Sequence, residues 1–206
     1  MIRKTLRTVA LTAMASTLAF SAQAAEKYTL DASHTAITWH VNHFGFSTPS
    51  GKFMGVEGEV ILDEANPASS SVKVTVDVNA MNSGVEKLDE HLKNADFFDV
   101  AKFPTATFVS KKVVLTGKDT AKVEGELTLH GVTKPITLDV KLNKIGENMR
   151  QMKTAGFTAS TTIKRSEFGM STYVPNLGDD IKIDIESEAN ILPAAEATPA
   201  TPVAKK

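Results

Sequence analysis

Histidines are the residues whose type and spacing first suggest chemistry. The segment SHTAITWHVNHFGFS (33–47) holds His34, His40 and His43 within ten positions, and imidazole nitrogen is a common zinc ligand. Apolar and polar residues alternate from position 36 to 41, however, which predicts a β-strand. His34 and His40 are then roughly 20 Å apart at about 3.3 Å per residue, too far to share one ion. We therefore predict no metal site, with His40 on the outer face and His43 near the mouth of the interior.

No catalytic residue can be assigned from local motifs. His91 lies on the exposed side of a predicted helix, and His130 precedes a turn at Gly131. Neither stands beside an acid and a nucleophile, and the short motifs of serine hydrolases, zinc proteases and nucleotide-binding proteins do not occur. We predict a protein that is not an enzyme. The alternative hypothesis is a histidine- or metal-dependent exported enzyme that uses His34, His40, His43 or His130.

Arg165 is a candidate ligand for an anionic head group. It ends the segment STTIKR (160–165) and lies an even number of residues from Phe157 and Ile163. On a regular strand the three side chains share one face, so Arg165 is expected to point inward at the rim. A guanidinium group there would bind a phosphate or carboxylate. The alternative is an ordinary solvated strand end.

The elements that must position these residues are mostly β-strands. Apolar residues alternate with charged or polar ones in SVKVTVDVNA (71–80), AKVEGELTLH (121–130), KPITLDVKLNK (134–144) and DIKIDIESEANI (180–191). A period of two is typical of a strand with one buried face. Together with similar segments, the pattern predicts eight or nine strands, and short connections favour antiparallel neighbours.

One segment, 83–100, has helical spacing instead. Ser83 and Glu86 form a capping-box pattern, and Leu88 and Leu92 follow on one face. We predict a single amphipathic helix of about three turns that packs against the strands.

One-sided strands with a single helix must close their apolar face on themselves, as a barrel or a sandwich. Long strands in consecutive hairpins favour an all-β, eight-stranded antiparallel barrel with the helix packed at an end. Such a barrel is either filled by side chains or holds one small ligand. The sequence leaves both open, because small inward residues favour a cavity while the many phenylalanines could fill it. The small residues are Gly125, Ala159, Thr161 and Ala189.

The chain divides into three predicted regions. Residues 1–24 combine early basic residues, a short apolar stretch and a small-x-small ending, which is typical of a cleaved secretory signal. Residues 25–193 form one domain, and residues 194–206 are predicted to be a disordered Ala/Pro/Thr tail. Without residues 1–24, which carry three basic residues and no acidic ones, 20 basic residues face 24 acidic ones. This formal charge of −4 argues against nucleic acid as a partner, and we expect no membrane span.

Several motifs resemble the YceI-like family of exported bacterial proteins. They are YTLDASHTAITWHVNHFGFS (28–47), ADFFDVAKFPTATF (95–108), GELTLHGVTKPITLDV (125–140) and TIKRSEFGMSTY (162–173). The resemblance implies a lipocalin-like barrel that binds a polyisoprenoid or similar long-chain amphiphile in its lumen. It also implies a periplasmic location and no established catalytic activity. The tail departs from the family pattern.

From parity and the matched motifs together, we predict an apolar lipid-binding surface along the wall and rim of the barrel. Its residues are Ile37, Trp39, Val41, His43, Phe44, Phe46, Phe53, Leu88, Leu92, Phe97, Phe98, Phe103, Phe108, Phe157, Ile163, Phe168 and Met170. The predicted function is a carrier or store for an isoprenoid lipid, such as a polyprenyl phosphate or a quinone-like molecule, with no cofactor. A stress-response scaffold with a packed core is a further alternative, and the sequence leaves a homodimer open.

Overall fold

The computed structural model describes residues 25–193. The predicted signal segment (1–24) and the predicted tail (194–206) lie outside the described residues. No helix within the described range is long and apolar enough to cross a membrane.

Eleven strand segments and one α-helix lie within residues 25–193. The strands are β1 (Glu26–Leu30), β2 (Ala36–His43), β3 (Ser50–Phe53), β4 (Val56–Leu62), β5 (Ser71–Asp77), β6 (Met81–Asn82), β7 (Thr105–Leu115), β8 (Thr120–Leu129), β9 (Val132–Glu147), β10 (Lys153–Lys164) and β11 (Leu177–Asn190). Helix α1 spans Glu86–Lys93, and short 3-10 turns occupy Pro67–Ser69, Val78–Ala80 and Arg165–Phe168.

The sheet closes into an eight-stranded antiparallel barrel, as predicted. Its order is β1-β4-β5-β7-β8-β9-β10-β11, and β11 returns to β1 through the pairs Thr29 with Asn190 and Leu30 with Ala189. Closure excludes the sandwich, because no apolar face is left for a second sheet to cover.

The three remaining segments extend the first strands of the barrel. β2 pairs with β11 beyond β1, β3 pairs with β2, and β6 pairs with β3. The first three strands of the barrel are therefore interrupted, at residues 31–35, 54–55 and 78–80. These interruptions explain why eleven segments form only eight strands.

The helix is shorter than predicted and begins later. Gly84 adopts a left-handed conformation (φ 80°) that turns the chain, so α1 starts only after Val85 and makes about two turns. The predicted capping box does not form. Instead, the backbone amide of Ser83 donates to the Asp89 carboxylate (2.7 Å).

Candidate functional site

The barrel encloses a cavity of about 470 Å³ that is lined mainly by Val, Ile, Leu and Phe side chains. The wall comes from inward positions of all eight strands. Residues directly opposite each other on antiparallel strands point to one face, and Ile37 with Ile185 and Val74 with Phe108 are such pairs. An apolar lumen of this size is in the range that holds a small-molecule ligand.

Two hydroxyl groups on the wall share a hydrogen bond, and the Thr35 hydroxyl also lies 3.4 Å from the Glu188 carbonyl oxygen, to which it can donate. Thr35, which is buried, approaches the Ser187 hydroxyl at 3.2 Å, and both residues line the cavity. A third hydroxyl residue, Thr161, faces the lumen from β10. The wall is therefore apolar apart from a few small polar groups.

Gly125 has a different role from the one predicted. A side chain at this position would come within 2.4 Å of the Phe108 ring and 2.6 Å of the Val109 carbonyl oxygen. The glycine therefore leaves the space that the Phe108 ring occupies beside the backbone of β8.

The cavity opens at one end, which we call the mouth. It is framed by the β4–β5 loop and the β7–β8 turn, and its polar residues are Glu64, Ser70, Lys118, Asp119 and Thr120. Lys153 on β10 binds both Glu26 and Glu64 and so ties the β4–β5 loop to the barrel. The hydrogen bonds that Lys153 donates to these carboxylates stabilise its charged form and raise its pKa.

Sequence reasoning missed the mouth residues, although the turn signals at residues 65–67 and 117–119 mark the two loops. Parity identifies the face on which a side chain lies, but it does not show which end of a barrel is open.

The opposite end is closed by a plug, which consists of Phe98, Phe168 and Met170. Phe168 and Met170 are almost fully buried and pack with Ile163, whose side chain is part of the cavity floor. Phe98 packs beside them and makes an edge contact with Phe53 (ring centroids 5.6 Å). The plug thus closes one end of the barrel without filling the lumen, and the expectation of a fully packed core is wrong.

The predicted lipid-binding residues divide into two groups by position. Those that line the cavity are Ile37, Phe53, Phe108, Phe157 and Ile163. The structure brings these together, and their contact with a lipid stays a prediction. The others lie outside the lining: Trp39, Val41, His43, Phe44, Phe46, Leu88, Leu92, Phe97, Phe98, Phe103, Phe168 and Met170.

The prediction that Trp39, Val41 and His43 on β2 contact the lipid is not supported, because β2 extends past the lumen. This strand runs from the lumen toward the closed end, so Ile37 lines the wall while Trp39 covers Gly51 and Val41 is buried farther along. Beyond Val41, His43 and Phe46 are exposed, Phe46 by 90% of its surface. The expectation that His43 lies near the mouth is wrong.

The remaining corrections belong to the closed end. Leu92 packs on the outside of the core around Val56, and Leu88 is half-buried on the same helix. Phe97 packs against His91 (5.1 Å), and Phe103 packs against His130 (4.7 Å between centroids). These side chains stabilise the closed end of the barrel and do not reach the lumen.

Arg165 is buried, and each of its three guanidinium nitrogens donates a hydrogen bond to the backbone. Its guanidinium group donates to the carbonyl oxygens of Met170 (2.8 Å), Leu177 (2.9 Å) and Gly178 (2.9 Å). Burial lowers the pKa of Arg165, and the negative charge of Asp179 opposes this shift. The expectation of a free head-group ligand at the rim is wrong, because this side chain ties the plug to the start of β11.

Asp179 holds the same turn from the other side. Its carboxylate accepts hydrogen bonds from the Ser166 amide (2.9 Å) and hydroxyl (2.8 Å). Burial alone would raise the pKa of Asp179, but these hydrogen bonds and the charges of Lys164 and Arg165 lower it.

The histidines lie apart, and four of the five have a polar partner of their own. His34 pairs with Asp31 (2.9 Å), His40 pairs with Asp184 on the outer face (3.2 Å), and His91 approaches Asp96 (3.8 Å). A hydrogen bond with Asp31 raises the pKa of His34. His130 Nδ1 donates to the Phe168 carbonyl oxygen (2.9 Å). Within residues 25–193, no three His, Cys, Asp or Glu side chains are grouped in a way that could hold a metal ion.

Comparisons with known proteins agree with this architecture. Residues 28–189 match the YceI-like domain family. A UPF0312 protein of Vibrio cholerae is 37% identical over 187 residues, covering 90% of this chain and 98% of that protein. The crystal structure of BcnA from Burkholderia cenocepacia has a TM-score of 0.71 at 24% identity and covers 77% of this chain and 98% of that one.

A polyisoprenoid binding domain from Saccharophagus degradans has the same fold, with a TM-score of 0.64 at 15% identity, and covers 80% of this chain and 98% of that domain. At these identities the two structural likenesses show the fold. The sequence match spans nearly the whole barrel, and the chain therefore belongs to the YceI-like domain family.

Proposed function

We propose that the protein binds one isoprenoid or similar long-chain lipid, with the apolar tail in the cavity and the polar head group at the mouth. The observation that carries this proposal is an apolar lumen of about 470 Å³ that is closed at one end and opens at a polar rim. The name of the Saccharophagus degradans domain, which shares this fold, supports a polyisoprenoid as the ligand class.

The cavity volume gives an approximate ligand size. An engineered protein cavity of about 150 Å³ holds one benzene molecule, and this lumen is about three times as large. It therefore accommodates on the order of 20 carbon atoms. Each buried CH₂ group contributes about 0.8 kcal/mol, so the tail alone supplies ample affinity even after the cost of immobilising the ligand.

The mouth offers contacts for a head group. Lys118 provides a cation, and Ser70 and Thr120 provide hydroxyl groups. A phosphate would accept from these donors, and a quinone-like ring would accept from the hydroxyls. They take the place of Arg165, whose guanidinium group is bound to backbone carbonyl oxygens at the closed end.

We also propose that the protein is a non-catalytic carrier or store that acts in the periplasm. The signal-like sequence of residues 1–24 supports export. The apolar character of the lumen supports binding rather than catalysis, because the inward wall residues are mainly aliphatic and aromatic.

A chain-length series tests the ligand proposal. Prenyl alcohols of 10, 15, 20 and 25 carbons are titrated into delipidated protein by calorimetry. Affinity is expected to rise with each unit up to about 20 carbons and then to level off, because carbons beyond that number lie outside the lumen. Binding is also expected to show a negative heat-capacity change, which marks apolar burial. Affinity that does not depend on chain length would contradict a tail in the cavity.

A further inference from the structure

The open end of the barrel carries exposed apolar side chains on two hairpin turns. Leu115 ends β7 with 49% of its surface exposed, and Met149 in the β9–β10 turn is fully exposed. Leu115 also lines the cavity, so the apolar surface of the lumen continues outward to the rim. We call residues 115–119 and 148–152 the rim turns.

The rim turns carry a net charge of about +1, which the adjacent Glu147 offsets. Lys118 and Arg150 are exposed, and neither forms an ion pair within the part of the chain that the structure describes. Asp119 and Glu147 beside them offset their charge. Contact with another surface would therefore depend mainly on the apolar tips, while the long basic side chains could reach phosphate groups.

We propose that the rim turns dock on the surface of a phospholipid bilayer, with the mouth facing the membrane. This inference rests on the proposed lipid-binding function. A lipid that crosses water between a bilayer and the lumen exposes its whole tail, which opposes transfer. With Met149 and Leu115 in the bilayer interface, the tail passes directly from the acyl region along a continuous apolar surface.

The closed end of the barrel also carries exposed aromatic side chains, so the protein could instead dock on a membrane through that end. Phe44, Phe46 and Tyr173 are exposed there, Phe46 by 90% of its surface. The plug lies between these residues and the lumen, so docking through them would turn the mouth toward water. Phe46 is therefore the matched control position for Met149, since both are exposed apolar residues in turns and neither lines the cavity.

Vesicle flotation tests the orientation. Wild-type, Met149→Ser and Phe46→Ser proteins, with identical processed N-termini, are mixed with phosphatidylethanolamine and phosphatidylglycerol vesicles at 3:1. Met149→Ser is expected to lower vesicle partitioning about tenfold, because one buried apolar side chain is lost. Phe46→Ser is expected to change it less than twofold. Because the rim charges nearly balance, 0.5 M salt is expected to lower wild-type binding less than threefold.

The lipid content of each sample, measured after solvent extraction, separates the two proposals. Protein that holds lipid but does not float, or that loses flotation with Phe46→Ser rather than Met149→Ser, would overturn docking through the rim turns. Protein that takes up no lipid under any loading condition would overturn the proposed function, and the docking inference with it.

Discussion

Replacing Thr161 with phenylalanine adds a ring inside the lumen without altering the outer surface. Thr161 lines the cavity, whereas its neighbour Thr162 is exposed on the opposite face of β10. A ring takes the space of about one benzene, roughly 150 Å³, or about a third of the 470 Å³ lumen. About six of 20 tail carbons are then displaced from the lumen, which would reduce the binding free energy by at most about 5 kcal/mol.

Because the tail can shift toward the mouth and retain part of its contact, we expect Thr161→Phe to weaken binding of a 20-carbon prenyl alcohol at least a hundredfold, a change of about 3 kcal/mol. Calorimetric titration measures the affinity, and denaturant unfolding checks that the barrel is intact. Thr162→Phe is the control and is expected to change affinity less than threefold. Equal affinities for the two variants would refute the placement of the tail in the lumen.

Three further substitutions test the structural roles of Arg165, Asp179 and Gly125 by denaturant unfolding. Arg165→Leu should lower the free energy of unfolding by about 3 kcal/mol, because three carbonyl oxygens lose a charged donor. The control Arg150→Leu, at an exposed site, should change this free energy little. Equal effects of the two substitutions would contradict a structural role for Arg165. Asp179→Asn should cost about 1 kcal/mol at pH 7. Because the folded-state pKa of Asp179 is lowered, the stabilisation that it contributes is present above about pH 4 and is lost as the pH falls through the folded-state pKa. The free energy of unfolding of Asp179→Asn should therefore fall less steeply at acid pH than that of the wild type. Parallel pH profiles for the two proteins would argue against this role of Asp179. Gly125→Ala should cost about 1–3 kcal/mol through overpacking, whereas Gly156→Ala, with nothing within 4 Å of the added carbon, should be tolerated; the reverse order would count against the close contact with Phe108.

Strand alternation predicts much of this fold because the side-chain period of two separates inward from outward residues. The wall positions Ile37, Phe157 and Ile163 follow from it, and so does closure, since one helix cannot cover a large apolar sheet. The alternation does not indicate how far along the barrel axis a residue lies. For that reason it assigns Trp39 and Val41 to the same face as Ile37 but cannot show that they lie beyond the cavity floor.

The errors at the closed end have a related cause. Parity correctly indicates that Arg165 points inward, but burial and hydrogen bonding depend on Met170 and Leu177, which the chain brings back from a later turn. Ser83 and Glu86 have the spacing of a capping box, yet the left-handed turn at Gly84 moves the helix start and Asp89 takes over the Ser83 amide. Local spacing could not predict either outcome, because each depends on tertiary contacts.

In the proposed function, the lumen holds one lipid tail. Mass spectrometry of solvent extracts from gently purified protein, with the molar ratio of lipid to protein, tests this claim most directly. We expect about one isoprenoid or similar long-chain lipid per chain in the wild type and in Thr162→Phe, with most of it absent from Thr161→Phe. An extract of wild-type protein that contains no lipid, even after incubation with prenyl lipids, would contradict it.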